Sequence, residues 1–238
     1  MVDLSRVEYL VGKDALKLLK KKHVLLGGVG GVGSFVAEAL ARSGIGKLTL
    51  VDYDVVDPSN LNRQLMSSKN NIGEIKVEAI KKRIEEVSDC KVKIKNCFID
   101  ETFKLDEDYD YVVDCIDTLT SKFVLVKLCA EKKIKIICSL GSACRLDPSN
   151  IKFTTLDKTR NDPLAKAFRN LVKKENFKKK IEVVYVDSVP IKTNIIKEGK
   201  TNKEKYPLGS SMFVVGSVGL YIASIVFNRL LKEEENEV

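Results

Sequence analysis

Apolar positions follow two rhythms along this chain. Short, mostly apolar runs at 24–26, 48–51, 110–115 and 134–139 read as strands buried on both faces, with a further strand at 91–96. Stretches of helical period lie at 35–42, 76–87 and 120–132. Apolar strands alternating with helices predict an α/β, Rossmann-like, mostly parallel sheet with helices on both faces. Ahead of it, the segment 5–22 contains a helical pattern, Leu16, Leu18 and Leu19 set against Lys13, Lys17 and Lys20 to Lys22, with Arg6 preceding it. Beyond Ser139 a turn rich in glycine and proline (141–148) leads to a strand at 151–156 and a helix opening at Asp162-Pro163. A strand at 181–186 and an apolar element at 212–231 close the pattern, so the fold is extended by a C-terminal sheet segment and helix. One domain over 1–238 is expected, with halves at 1–140 and 141–238 and an exposed, mobile loop near 188–208.

Composition adds limits. The 238 residues can bury a sizeable core, and 44% hydrophobic with 31% charged residues is ordinary for a soluble protein. A formal charge of +8 fits either a polyanionic partner or lysine used for solubility. None of the six cysteines forms a CxxC pair, so structural zinc is not expected, and no leader-like stretch opens the chain. The reducing cytoplasm is the expected compartment. The one histidine, His23, is expected as a solvated strand end, which disfavours histidine-based triads. The uninterrupted apolar part of 212–231 is short for a membrane span, so no span is expected and a buried helix is.

The chemistry concentrates between residues 23 and 76. A strand runs into Gly28-x-Gly30-Gly31-x-Gly33 and then a helix, where glycine lets a phosphate approach the helix N-terminus. Asp52 follows about twenty residues on, where a carboxylate can accept ribose hydroxyl bonds. The bland alternative is a purely structural glycine turn. Asp54, Asn60, Arg63, Gln64 and Lys76 come next. An arginine in a polar loop and a lysine opening a helix suit the β- and γ-phosphates of a triphosphate. Ligands in such sheets bind beyond the carboxyl ends of the strands, so Gly28, Asp52, Asp114 and Asp117 should converge. Asp117 can hold Mg²⁺ through oxygen, or it can cap the following helix.

Taken together, Gly-x-Gly-Gly-x-Gly, Asp52-x-Asp54, Asn60-x-x-Arg63-Gln64, Gly73-x-x-Lys76 and Asp114-Cys115-Ile116-Asp117 resemble the ubiquitin-activating-enzyme-like superfamily of ATP-dependent carboxylate adenylyltransferases. The resemblance implies ATP and Mg²⁺. Gly28, Gly30, Gly31, Gly33, Asp52 and Asp54 would line the nucleotide, and Asn60 and Gln64 would shape the loop. Arg63 and Lys76 would neutralise phosphates, Asp117 would hold the metal, and Arg6 would reach a neighbouring subunit's phosphates in a homodimer. Where the family carries Asn-x-x-x-Arg after the metal aspartate, this chain has Thr118 to Lys122, which puts a nucleotide role for Lys122 in doubt.

Within the superfamily the chain is similar to the tRNA threonylcarbamoyladenosine dehydratase branch. The matching residues are Arg6…Gly12, the segment 37–46, Leu146-Asp147-Pro148, Asp157…Asp162-Pro163-Leu164-Ala165, Val184-Tyr185 and Pro190. That branch implies a tRNA substrate whose threonylcarbamoyl carboxylate is adenylated and then closes a ring within itself, which needs no enzyme cysteine. The first half would bind nucleotide and the second would face substrate. Two rivals remain: an activator of a sulfur-carrier or ubiquitin-like C-terminus, and a scaffold serving a cysteine desulfurase or sulfur-acceptor system. An RNA footprint is expected on the helix after Asp162, where Lys166, Arg169 and Lys173 oppose Leu164, Phe168, Leu171 and Val172. The alternative there is a solvated helix face.

Overall fold

The computed structural model describes residues 2–192 and 208–232. Strand β1 (His23–Gly27) is buried along its whole length and lies at the centre of the sheet. Parallel neighbours flank it, β2 (Lys47–Val51) on one side and β4 (Tyr111–Asp114) on the other. Outside these come β3 (Lys91–Lys95) and β5 (Ile136–Ser139), then β7 (Glu182–Val186), and last β6 (Ile151–Thr155). The order is β3-β2-β1-β4-β5-β7-β6, and only the β6–β7 pair is antiparallel. Strand order reverses between β1 and β4, which opens a crevice at their carboxyl ends.

Helices α3 (Gly33–Arg42), α4 (Lys76–Val87) and α7 (Met212–Lys232) cover one face and share a core with β1 and β2. Helices α5 (Leu119–Lys132) and α6 (Pro163–Lys174) pack on the other, around Phe123, Phe168 and Tyr185. By length and composition α7 is the one described helix able to cross a membrane. Its buried residues Val214, Val218, Ile222 and Val226 instead join the common core. The expected buried helix is what the structure has.

Two sequence expectations change. Arg6, expected ahead of the helical pattern, lies in a helix of its own, α1 (Ser5–Val11), which Gly12 at φ +88° divides from α2 (Lys13–Leu19). His23 is buried rather than solvated, its ring bridging the Asp108 carbonyl (3.0 Å) and the Thr49 hydroxyl (2.8 Å). Burial, with Lys47 nearby, lowers its pKa. The loop expected at 188–208 lies mostly outside the described residues.

Candidate nucleotide site and basic face

β1 ends at Gly27, and the chain turns through residues 28–32 into α3. Neither Gly28 nor Gly33 could carry a side chain there. Gly28 has φ +82°, and a Cβ on Gly33 would lie 1.9 Å from the Gly28 carbonyl oxygen. Beside Gly30 the nearest atom to such a Cβ would be Gln64 Nε2 at 3.8 Å, so the backbone here forms an open cradle at a helix N-terminus. Gly31 backs onto Val215 and the Arg63 stem. Asp52 ties β2 to this turn: one carboxylate oxygen accepts from Val29 N–H at 2.8 Å, the other from Asp54 N–H at 2.9 Å. Each oxygen keeps a lone pair for a ribose hydroxyl.

The segment after β2 delivers the polar groups. Asp57 accepts from Ser59 N–H (2.8 Å), and Asn60, buried, accepts from Asp57 N–H (3.0 Å), which closes a 3₁₀ turn over Pro58–Asn60. Arg63 follows, its Nη1 donating to the Ser59 carbonyl (2.7 Å) and Asn62 (2.9 Å). Its Nε and Nη2 have no partner among the described residues. Gln64 is buried and its Oε1 has no partner either. An unsatisfied buried amide beside an open glycine cradle fits a polar ligand. Lys76 opens α4, is itself buried, and places Nζ 2.7 Å from Asp54. Asp54 therefore holds the lysine in position.

At the end of β4 the two aspartates part company. Asp114, expected at the crevice, turns its carboxylate inward to Lys122 Nζ at 2.8 Å, and both are fully buried. Its other oxygen accepts from Ile116 N–H (3.0 Å), while Lys122 also donates to the Ser139 carbonyl (2.9 Å). Burial acts to lower the Lys122 pKa, but the Asp114 carboxylate outweighs it and the net shift is upward. Lys122 thus joins α5 to the ends of β4 and β5 and does not face the cradle. Asp117 is exposed at the rim, with Thr118 Oγ1 3.4 Å from its carboxylate. Among the described residues no three acidic, histidine or cysteine side chains cluster as a metal cage. A single rim carboxylate suits Mg²⁺, which takes one or two carboxylates plus phosphate and water.

Other expected residues lie elsewhere. Arg6 sits on α1, whose Leu10 and Val11 line a groove against Ala39, Leu40 and Ser43 near the C-terminal end of α3. The glycine turn is at the opposite end of that ten-residue helix, a length of about 15 Å. The structure therefore does not bring Arg6 to its own chain's cradle. On α6, Lys166 and Lys173 are exposed as expected, but Arg169 is not part of an open stripe. It is half-buried and donates to the Thr159 carbonyl (3.0 Å) and hydroxyl, clamping the preceding turn. Sequence reasoning missed Arg145, buried and donating to the carbonyls of Ala143 (2.8 Å) and Asn161 (3.0 Å). No local signal marks it, since its partners depend on the loop fold.

A glycine cradle at the switch in strand order, an acid on β2, and an arginine and a lysine beyond it define a nucleotide-binding adenylyltransferase-type fold. The ThiF family model matches residues 4–238, and the chain belongs to that family. It is 40% identical to the tRNA threonylcarbamoyladenosine dehydratase of Bacillus subtilis, covering 97% of this chain and 95% of that one. To the Haemophilus influenzae enzyme of the same name it is 34% identical, over 93% and 90%. The solved structure of the E. coli tRNA N6-threonylcarbamoyladenosine dehydratase in complex with ATP superposes with a TM-score of 0.88 at 30% identity, over 99% of this chain and 96% of that one.

Proposed function

We propose that this chain is an ATP-dependent tRNA threonylcarbamoyladenosine dehydratase. The observation that carries this is the extent of the likeness. It runs through the second half, 141–238, which a shared nucleotide turn alone would not explain.

In the reaction, a carboxylate oxygen of the threonylcarbamoyl group attacks the α-phosphorus of ATP, and pyrophosphate leaves. A nucleophile within the same group then attacks the activated carbonyl and expels AMP, so the substrate loses the elements of water. Backbone N–H groups at the start of α3 cradle phosphate, and Asp52 receives the ribose. Arg63 turns its free guanidinium edge toward the leaving phosphates, and Lys76, held by Asp54, adds the second charge. Asp117 would hold Mg²⁺, which supplies charge neutralisation on the phosphates when bound.

Because the nucleophile lies within the substrate, the reaction requires no enzyme cysteine. Burial raises the pKa of Cys90 and of Cys129 to about 12 each, and pushes Cys138 up as well. Such thiols are poor acceptors for a thioester or sulfur relay. A homodimer has a part in this activity: Tyr9 and Leu10 on α1 are 78% and 82% exposed, beside an apolar groove of about 770 Å³ between α1, α3 and α7. In such a dimer Arg6 would act on the neighbouring subunit's nucleotide. The compartment is the cytoplasm, where tRNA is modified.

Pyrophosphate release from ATP and Mg²⁺ should appear only with tRNA carrying threonylcarbamoyladenosine. Release driven instead by a small carrier protein ending in Gly-Gly, with no response to tRNA, would replace this function with carrier activation.

A further inference from the structure

We propose that a cleft at the open edge of β6 receives the RNA strand flanking the modified adenosine, with Arg160 gripping a phosphate. This rests on the dehydratase function and names the surface that function needs. The cleft holds about 430 Å³ and is lined by Lys152, Phe153, Lys158, Arg160, Tyr185 and Tyr221.

Its charge is organised around one carboxylate. Asp187 follows the last residue of β7, and its side chain is only 3% exposed. Lys152 Nζ reaches it at 2.7 Å, Arg160 Nε at 2.9 Å and Asn161 Nδ2 at 3.1 Å. Arg160 spends only its Nε edge there. Its two Nη groups have no partner among the described residues, and the side chain is 70% exposed. One edge of the guanidinium is thus fixed and the forked edge offered outward, as bidentate phosphate recognition requires.

The loop carrying Arg160 is held from beneath. Arg145 donates to the Asn161 carbonyl at 3.0 Å, and Arg169 to the Thr159 carbonyl at 3.0 Å. Both buried or half-buried arginines therefore preorganise a third, exposed one. Three cations against one carboxylate leave the cleft positive, the sign an RNA strand needs. Tyr221, 41% exposed, adds ring surface on which a base can stack whatever its identity, and Phe153, 37% exposed with the Arg229 guanidinium 5.1 Å from its ring centroid, adds its remaining surface.

Position completes the case. β7 runs parallel to β5, so Asp187 lies on the same carboxyl rim as Gly28 and Asp52. β6 is the fourth strand out from β1, a separation of roughly 19 Å at about 4.8 Å per strand. A few nucleotides of single strand span that distance.

The test measures binding of fluorescently labelled tRNA carrying threonylcarbamoyladenosine to the full chain. Arg160→Glu should weaken binding by roughly tenfold or more, and Lys158→Glu with Arg160→Glu should lower the salt-dependence slope by about one to two. ATP affinity should stay at the wild-type value. Lys20→Glu with Lys21→Glu, an equal charge change on the amino rim, should have little effect. Should Arg160→Glu fold poorly, Arg160→Gln keeps the Nε-side polarity and should still weaken binding. Equal losses in the rim control, or tRNA affinity unchanged in both Arg160 variants, would overturn the site while wild-type turnover upheld the dehydratase function. A wild type that neither binds nor responds to the modified tRNA would overturn both.

Discussion

Two cations and a histidine show how residue identity relates to role. Arg63 is singled out by a motif local to its loop, and its hydrogen bonds among the described residues reach no further than Ser59 and Asn62. Arg63→Ala should therefore leave the circular dichroism spectrum and melting temperature unchanged while turnover falls by about 10²-fold or more. Normal pyrophosphate release in that variant would remove Arg63 from the site. Lys122 was not legible, because its partners Asp114 and Ser139 are brought to it by packing. Lys122→Ala strands a buried carboxylate and should cost about 3–5 kcal/mol in denaturant unfolding. Lys122→Met with Asp114→Asn should recover much of that loss; no recovery would mean the charge pair is not the cause. His23, placed by sequence at a wet strand end, is buried between β1 and β2 with a lowered pKa. The unfolded chain takes up this proton at a higher pH than the folded one. Stability should therefore fall as pH drops below about 6.5 toward the folded value. His23→Gln should flatten that part of the stability-against-pH curve.

At the scale of elements, period and punctuation located most strands and helices, because buried parallel strands leave unmistakable apolar runs. The short helix ahead of Gly12 was the exception: the apolar pattern marked only the helix that follows, and Gly12 at φ +88° ends one and starts the other. The α6 entry was read correctly from Asp162-Pro163, and the structure shows more in it than a cap. Asp162 accepts from Leu164 N–H (2.9 Å), Ala165 N–H (3.1 Å) and, across the fold, Gly141 N–H (2.8 Å). Asp162→Ala should cost about 2 kcal/mol, at the upper end for a lost cap, measured by urea unfolding. A loss near zero would show that water replaces all three bonds. The Arg169 face of α6 misled because helical spacing tells which side a residue occupies but not whether a neighbouring turn takes it.

For the molecule as a whole, strand order explains why residues scattered from Gly28 to Asp117 belong to one rim, and this much followed from alternation of elements alone. What sequence pattern could not supply was the far edge, where β6 returns antiparallel and Asp187 gathers Lys152 and Arg160. Those contacts join residues 35 and 27 positions apart. The proposed dimer belongs to this scale too: sedimentation at micromolar concentration should show twice the 26.6 kDa chain mass, and Leu10→Asp should shift it toward monomer. If this protein both adenylates and cyclises threonylcarbamoyladenosine in tRNA, mass spectrometry of the nucleosides will register the product. After incubation with modified tRNA, ATP and Mg²⁺, the threonylcarbamoyladenosine peak should be replaced by one lighter by a single water, with AMP formed in equal amount. An unchanged nucleoside alongside consumed ATP would rule out the dehydration.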